Sequence, residues 1–458
     1  MSSAPAIEPF AREIGQGTRS VIDAALDDHA PTAAHRRLFW LICAALFVDF
    51  FDLTMGGVIA ASLLREGWTT LSLNSMFFSA AGVGAAAGVF AAGILADQIG
   101  RVRVLQICLG LMTVGTLLCA VAPTMEFLIA ARVLAAIGMG GVPTISYVYL
   151  SEVLPARVRG AWISGAGVAV AMSSTAASVI GYYMLPLGGW RPMFLLPVVA
   201  GLLLIVMLGM APESPRWLAV KGKWQRATQE LARIVAVAPT LVAASRTVDN
   251  PAPVAATGPT AGPGALFRAP LLKRLLLAMG LAIAATVTSN SAVAWMPTVL
   301  MESASVERGL GDNFVIMLGA PLGSVVGYFI LSRVSRRGAL TVTSILGAGI
   351  AASCAFIGRD AGLIPLALVL MALINLVCTI ILGVYLPELF PTALRARGSA
   401  FALTASRLSL IAAPFAMAAA LAAYGRPGVM LSLMACFLVV TLLVTALGVE
   451  TASGPLRD

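Results

Sequence analysis

Apolar runs of about 20 residues, the length needed for a helix to cross a hydrocarbon core of about 30 Å, recur along nearly the whole chain. They predict twelve membrane-spanning helices, at 38–62, 75–97, 104–122, 124–150, 161–186, 190–210, 271–299, 313–332, 339–357, 361–386, 398–422 and 427–449. The longest polar interruption, 211–270, divides them six and six. It opens with Pro212-Glu213-Ser214-Pro215-Arg216-Trp217-Leu218, runs through Lys221, Lys223 and Arg226 into a predicted surface helix from Trp224 to Val237, and ends in a Pro/Ala/Thr/Gly tract, Pro239 to Gly264, that reads as a linker. The expected organisation is therefore an N-terminal segment (1–37), a six-helix half (38–210), a central loop and linker (211–270), a second six-helix half (271–449) and a short tail (450–458). The first 37 residues carry mixed charge and Pro5, Pro9 and Pro31. They lack an apolar core with a small-residue cleavage site, so no cleaved signal peptide is expected.

Composition moves the class in the same direction. Of 458 residues 59% are hydrophobic and 11% charged, with a mean hydropathy of +0.93. A water-soluble domain does not tolerate that balance, so the fold class is an all-α membrane protein. The net charge of +9 is a topology signal. Apart from Arg132 and Arg407 inside spans, only Arg65, Arg191, Arg308, Arg359 and Arg426 fall on one side when loops are assigned alternately; the remaining lysines and arginines fall on the other. That basic side holds both termini and the central loop, and by the positive-inside rule it is cytoplasmic. No nucleic-acid partner is implied. Six cysteines (Cys43, Cys108, Cys119, Cys354, Cys378, Cys436) lie in apolar spans without paired spacing and read as packing residues. Both histidines, His29 and His35, precede the first span, which leaves none for a metal site or a catalytic triad, and neither enzyme chemistry nor a cofactor is expected.

Ionisable side chains inside the spans are the candidate chemistry. Asp49 and Asp52 stand one helical turn apart in the first span, where a charge costs roughly 2.5–3.5 kcal/mol even on a lenient scale. Three residues advance a helix by about 300°, so both carboxylates look the same way. Burial and a like neighbour favour the protonated acid and a nearby cation favours the carboxylate, a competition that makes a switchable proton carrier. Arg132 in the fourth span and Arg407 in the eleventh need anionic partners. One can be matched by an aspartate, which leaves the other for an anionic substrate. Thr288, Asn290 and Trp295 in the seventh span, Tyr147 in the fourth, and Asn375 and Tyr385 in the tenth are further candidates for substrate contact, by hydrogen bond or by stacking on a flat ring.

An internal repeat supports a transporter layout. Glu152-Val-Leu-Pro155 with Arg159 recurs as Glu388-Leu-Phe-Pro391 with Arg395, an offset of 236 residues (388 − 152). Nearly the same shift, 235 residues (328 − 93), superposes Gly93-Ile-Leu-Ala-Asp97-Gln-Ile-Gly100-Arg101-Val-Arg103 on the degenerate Tyr328–Gly338 segment, where Ser332 replaces the aspartate and Arg336 keeps the place of Arg101. Parallel halves with a site between them near mid-membrane are a secondary-transporter arrangement.

These residues carry a family resemblance. The Gly93-x-Leu95-Ala96-Asp97-x-x-Gly100-Arg101-x-Arg103 motif, Arg132 ahead of Gly138-x-Gly140-Gly141, and the paired Glu-x-x-Pro-x-x-x-Arg loops resemble the major facilitator superfamily from about residue 36 onward. Asp49-x-x-Asp52 and Pro-Glu-Ser-Pro-Arg-Trp-Leu resemble its aromatic-acid:proton symporters and the related nicotinate and synaptic-vesicle-glycoprotein-like transporters, with Phe50 where the symporter pattern usually has glycine. The resemblance implies two pseudo-symmetric six-helix halves that rock about a central site. It also implies a cytoplasmic gate of Gly93, Asp97, Gly100, Arg101, Arg103, Glu152, Arg159, Glu388 and Arg395. The implied function is proton-coupled uptake of a small organic anion, such as nicotinate or a benzoate-like acid, across the cell inner membrane by a monomer in the lipid bilayer. Sugar:proton symport and proton-driven efflux are the alternatives. Sugar porters usually carry glutamines in the fifth and seventh spans, which here have none, and efflux antiporters a Gly-Pro motif that Gly165 to Met184 lacks.

Overall fold

In the computed structural model of the chain, residues 21–235, 265–268, 271–302, 305–330, 335–358, 362–391 and 394–450 are described. Eleven helices among them are long and apolar enough to cross a membrane. The last, Arg395–Leu447, is two spans joined without a loop, because Gly425 takes φ 59° and ψ −146°, a backbone state that costs glycine little and reverses the chain. The predicted eleventh and twelfth spans meet at that glycine, so twelve crossings result.

Hydroxyl side chains mark where spans begin. Thr32, Thr70, Thr124, Ser305 and Ser335 each accept a hydrogen bond from a backbone N–H of the first turn. Thr32 and His35 close a full capping box. Several helices overrun their apolar windows, since a helix continues past the hydrocarbon wherever its polar ends are solvated. The first span is Ala33–Arg65 and the fifth Ala156–Gly188. The eighth begins at Val306, before the predicted 313, because its opening turn, Val306-Glu307-Arg308-Gly309, is too polar to register as apolar sequence. The surface helix is Trp224–Val235, preceded by a separate short helix, Pro215–Val220. Pro239–Gly264, residues 1–20 and the end of the tail lie outside the described residues.

The two halves pack alike. Within the first, the first span contacts the fifth, the second the fourth, and the third the sixth; within the second, the eighth contacts the tenth and the ninth the twelfth. Glycine permits the matching close approaches: a Cβ at Gly88 would collide with the Ile137 carbonyl, and one at Gly323 with that of Ala372. Across the halves the first span meets the seventh, the second the eleventh and the fifth the eighth.

Among the described residues, the hydrogen bonds that cross that seam gather toward one side. Its hydrogen bonds run from Arg65 to the Met301 carbonyl (3.0 Å), Ser75 to Pro414 (3.3 Å), Ser79 to Ile411 (2.8 Å) and Thr175 to Met317 (2.8 Å), with Asn313 donating to Ser178 (2.9 Å). Phe78 packs edge-to-face on Trp295 (5.5 Å), and a Cβ at Gly57 would come within 2.7 Å of the Val293 carbonyl. These contacts lie in the middle of the spans and on the side away from the basic face. Toward the basic face Gly93 has open space beside it.

One helix escaped the hydropathy pattern. Val21–Asp28 is too short to register as an apolar run and carries three aspartates, yet Ile22 and Leu26, one turn apart, are buried in the cluster that contains Leu231 and Ile234 of the surface helix. Asp27 of this helix pairs with both Arg159 (2.5 Å) and Arg216 (3.0 Å), and Asp23 with Arg216 (3.0 Å).

Candidate functional site

The four ionisable residues of the spans come together as two different arrangements. Asp52 is fully buried and fully bonded. Its Oδ1 accepts from Arg132 Nη1 at 2.9 Å, its Oδ2 from the Thr116 hydroxyl at 2.5 Å, and its backbone carbonyl from Arg132 Nη2 at 3.0 Å. The Arg132 guanidinium also lies 5.2 Å from the centre of the Phe77 ring, and Gly56 leaves room for it, since a Cβ there would sit 3.3 Å from Nη2. Charge, hydroxyl and ring thus enclose one ion pair among the first, second, third and fourth spans, all in the first half.

Asp49, one turn toward the basic face, is differently placed. It is buried, and its Oδ1 has no hydrogen-bond partner among the described residues. Arg407 from the second half acts on it electrostatically, as do Asp52 and Arg132, and Tyr147 is coupled in the same way to both Asp49 and Arg407. Among the described residues neither Asp49 nor Arg407 closes an ion pair. Arg407 and Tyr147 are half-buried, and Arg407 sits one turn beyond Leu410, the seam residue that packs against Gly82.

The remaining candidates divide. Thr288 donates to the Ala284 carbonyl (2.6 Å), Asn290 to Thr286 (2.9 Å) and Asn375 to Met371 (3.0 Å), so each spends a donor on its own helix. Asn375 stands just before a π-helical stretch, Thr379–Tyr385, of the kind often found at functional sites. Trp295 is not a cavity wall: it is 1% exposed and packed on Phe78 within the closed seam. Tyr385 is displaced from the centre altogether, because its hydroxyl donates to the Val449 carbonyl and accepts from the Val449 N–H (2.9 Å each) at the basic face.

At the basic face the first half carries a bonded charge relay. Arg101 donates to Glu152 (2.8 Å from Nη2), to Asp97 (3.0 Å) and to the Ala96 carbonyl (2.6 Å). Glu213 of the Pro-Glu-Ser-Pro segment accepts from the backbone N–H groups of Arg101 (2.9 Å), Val102 (3.2 Å) and Ser214 (2.9 Å), which caps the third span with a carboxylate at the positive end of its dipole. Burial raises the Glu213 pKa above its ordinary 4.5, against the pull of those three N–H groups. Gly100, at φ 107°, is obligatory here because a side chain would meet the Glu213 carboxylate. Trp217 Nε1 adds a bond to the Asp97 carbonyl (3.0 Å). In the second half Arg336 faces Glu388 at 3.7 Å, the counterpart of Arg101 and Glu152. Of the other residues grouped with the gate, Arg159 binds Asp27 and the Leu154 carbonyl, and Arg103 is exposed. The Arg395 side chain and Ser332 lie outside the described residues.

Thr116, Phe77, Gly56, Glu213 and Asp27 were not marked as site residues from the sequence. A threonine or phenylalanine in an apolar span carries no signal of its own, whereas Glu213 stands within the Pro-Glu-Ser-Pro-Arg-Trp-Leu motif.

Two bonded charge layers in a twelve-span, two-half bundle define a secondary transporter of the major facilitator fold. The chain belongs to the sugar (and other) transporter family, whose model matches residues 35–458. It is 28% identical over 446 residues to the inner membrane metabolite transport protein YdjE of Escherichia coli (95% of this chain, 98% of that protein). It is 25% identical to the niacin transporter NiaP of Acinetobacter baylyi (93% and 96%), and 31% identical to the 4-hydroxybenzoate transporter PcaK of the same organism (67% and 68%). Among solved structures, the inward-open xylose transporter XylE of E. coli superposes with a TM-score of 0.73 at 17% identity, over 92% of this chain and 97% of that one.

Proposed function

We propose that this protein is a proton-coupled symporter that takes up a small organic anion, an aromatic monocarboxylate such as nicotinate or a benzoate-like acid, across the bacterial inner membrane. The observation that carries the reading is the grouping of two buried carboxylates with two arginines beside the seam. The relatives that transport niacin and 4-hydroxybenzoate agree with it. In this scheme protonation of Asp49 or Asp52 releases Arg132 or Arg407 for the substrate carboxylate. A half-loaded site leaves an unpaired buried charge, a penalty of several kcal/mol, so proton and anion cross together. With the basic face cytoplasmic, the one-sided seam corresponds to an inward-open state.

Sugar:proton symport is the second reading, favoured by the xylose-transporter fold. Purified protein in proteoliposomes separates the two. The organic-anion reading expects 4-hydroxybenzoate or nicotinate to accumulate when the outside is acidified and to be insensitive to excess xylose or glucose. Sugar accumulation with no response to either acid would replace it.

A further inference from the structure

We infer that the basic end of the third and sixth spans binds an anionic phospholipid, its phosphate held by Arg103 and by the surface helix Trp224–Val235, its acyl chain lying in a groove at Gly110. The site is independent of which solute the protein carries.

The third span turns one continuous stripe outward. Arg103, Ile107, Gly110, Val114 and Leu117 follow at steps of four and three, the period of a single helix face, and all but the half-buried Gly110 are exposed. Such a face meets lipid, and Arg103, in the first turn, is its one charged member. A cation there lies level with the headgroups of the leaflet on the basic face. Gly110 stands seven residues (110 − 103) or about 10.5 Å further in, and a Cβ at it would meet nothing within 4 Å, so the stripe carries a notch. The sixth span supplies the neighbouring wall with the exposed Leu203, Val206, Met207 and Met210. Gln106 fixes the register of the two helices by donating to the Ile205 carbonyl (2.9 Å).

The segment after the sixth span bridges the same corner. At one end Lys223 lies 5.4 Å from the centre of the Trp217 ring, and Trp217 Nε1 donates to the Asp97 carbonyl, just ahead of the third span. At the other end Arg233 donates to the Met210 carbonyl (2.8 Å), the last turn of the sixth. Between them Arg226, Gln229 and Arg233 share the exposed face of the surface helix. From Ser214 to Val235 there are five lysines and arginines and a single acid, Glu230, which is paired with Arg233 (2.8 Å). Among the described residues Arg103, Lys221 and Arg226 close no ion pair. Unmatched cations therefore border an apolar groove, the complement of a phosphodiester with a hydrocarbon tail. The second half lacks this corner: Gly338 takes the place of Arg103 (338 − 103 = 235), and Arg337 donates to the Val444 (3.3 Å) and Thr445 (2.8 Å) carbonyls at the end of the twelfth span.

The test titrates phosphatidylglycerol with a fluorescent tail, and phosphatidylcholine with the same tail, into delipidated full-length protein in a nonionic detergent. Phosphatidylglycerol is expected to bind at least about tenfold tighter. Arg103→Gln/Arg226→Gln should weaken it about twentyfold, from about fivefold for each basic residue lost at an anionic surface, and Arg103→Lys/Arg226→Lys should stay within about threefold of wild type. Gly110→Leu fills the notch without a clash and should weaken binding at least about fivefold, whereas a diffuse attraction of charge would not feel it. Arg268→Gln/Lys273→Gln removes the same charge from exposed positions of the second half and should leave the affinity within about twofold. Equal affinity for the two lipids, equal losses in the two glutamine pairs, or unchanged binding in Gly110→Leu overturns the site. Displacement of the lipid by inorganic phosphate at constant ionic strength overturns it in favour of a soluble anion. Should Arg103→Gln/Arg226→Gln not fold, Gly110→Leu and the comparison of the two lipids decide.

Discussion

The two halves share their packing and differ in their charges. Gly84 and Gly88 let the second span approach the fourth as Gly319 and Gly323 let the eighth approach the tenth. At mid-membrane, however, the first half holds Asp49, Asp52 and Arg132, whereas the second offers Arg407 among the neutral Thr288, Asn290 and Asn375. At the basic face Arg101 binds Glu152 at 2.8 Å, whereas Arg336 stands 3.7 Å from Glu388. Duplication thus preserved what the bilayer demands of every helix pair, close small-residue contact, and left the electrostatics free to diverge.

Variants can break this contrast. The largest effect is expected from Asp52→Asn alone, which strands a buried guanidinium: a loss of about 3–5 kcal/mol, read as a lower unfolding temperature in detergent and largely reversed by adding Arg132→Gln. Next, Glu152→Gln should cost about 1.5–3 kcal/mol, the worth of a charge-assisted bond, read as a lower unfolding temperature in detergent. Gly88→Ala and Gly323→Ala, by contrast, should destabilise alike, by about 1–3 kcal/mol each, because both place a methyl group against a carbonyl. The smallest effect concerns Glu213. Its pKa is raised in the folded protein, so the folded state binds more protons than the unfolded one above pH 4.5, and stability falls as pH rises from there through the raised value. Glu213→Gln should flatten that slope in a thermal-unfolding series across pH.

Most of the architecture was legible because hydrocarbon imposes one length and one polarity on every crossing. Asp49, Asp52, Arg132 and Arg407 stood out for the same reason, since charge inside such a run is rare. Their sorting was not legible. Nothing in the spacing of Asp49 and Asp52 says that the second meets Arg132 and Thr116 while the first keeps an unbonded Oδ1, because that depends on the rotation of the first span against its neighbours. Trp295 and Tyr385 were misplaced by aromatic character alone: the one fills a packed contact, and the other ties the tenth span to Val449. The helix Val21–Asp28 was missed because two apolar side chains one turn apart are too few to form a run.

The bonds that shut the far side of the carrier are chiefly hydroxyl or guanidinium groups resting on main-chain carbonyls, as with Ser75, Ser79, Thr175 and Arg65. Each is worth about 0.6 kcal/mol by the measure of hydrogen bonds between membrane helices. Such a closure parts like a zipper, one tooth at a time, and water can take over each freed donor before the next lets go. It needs no single decisive break.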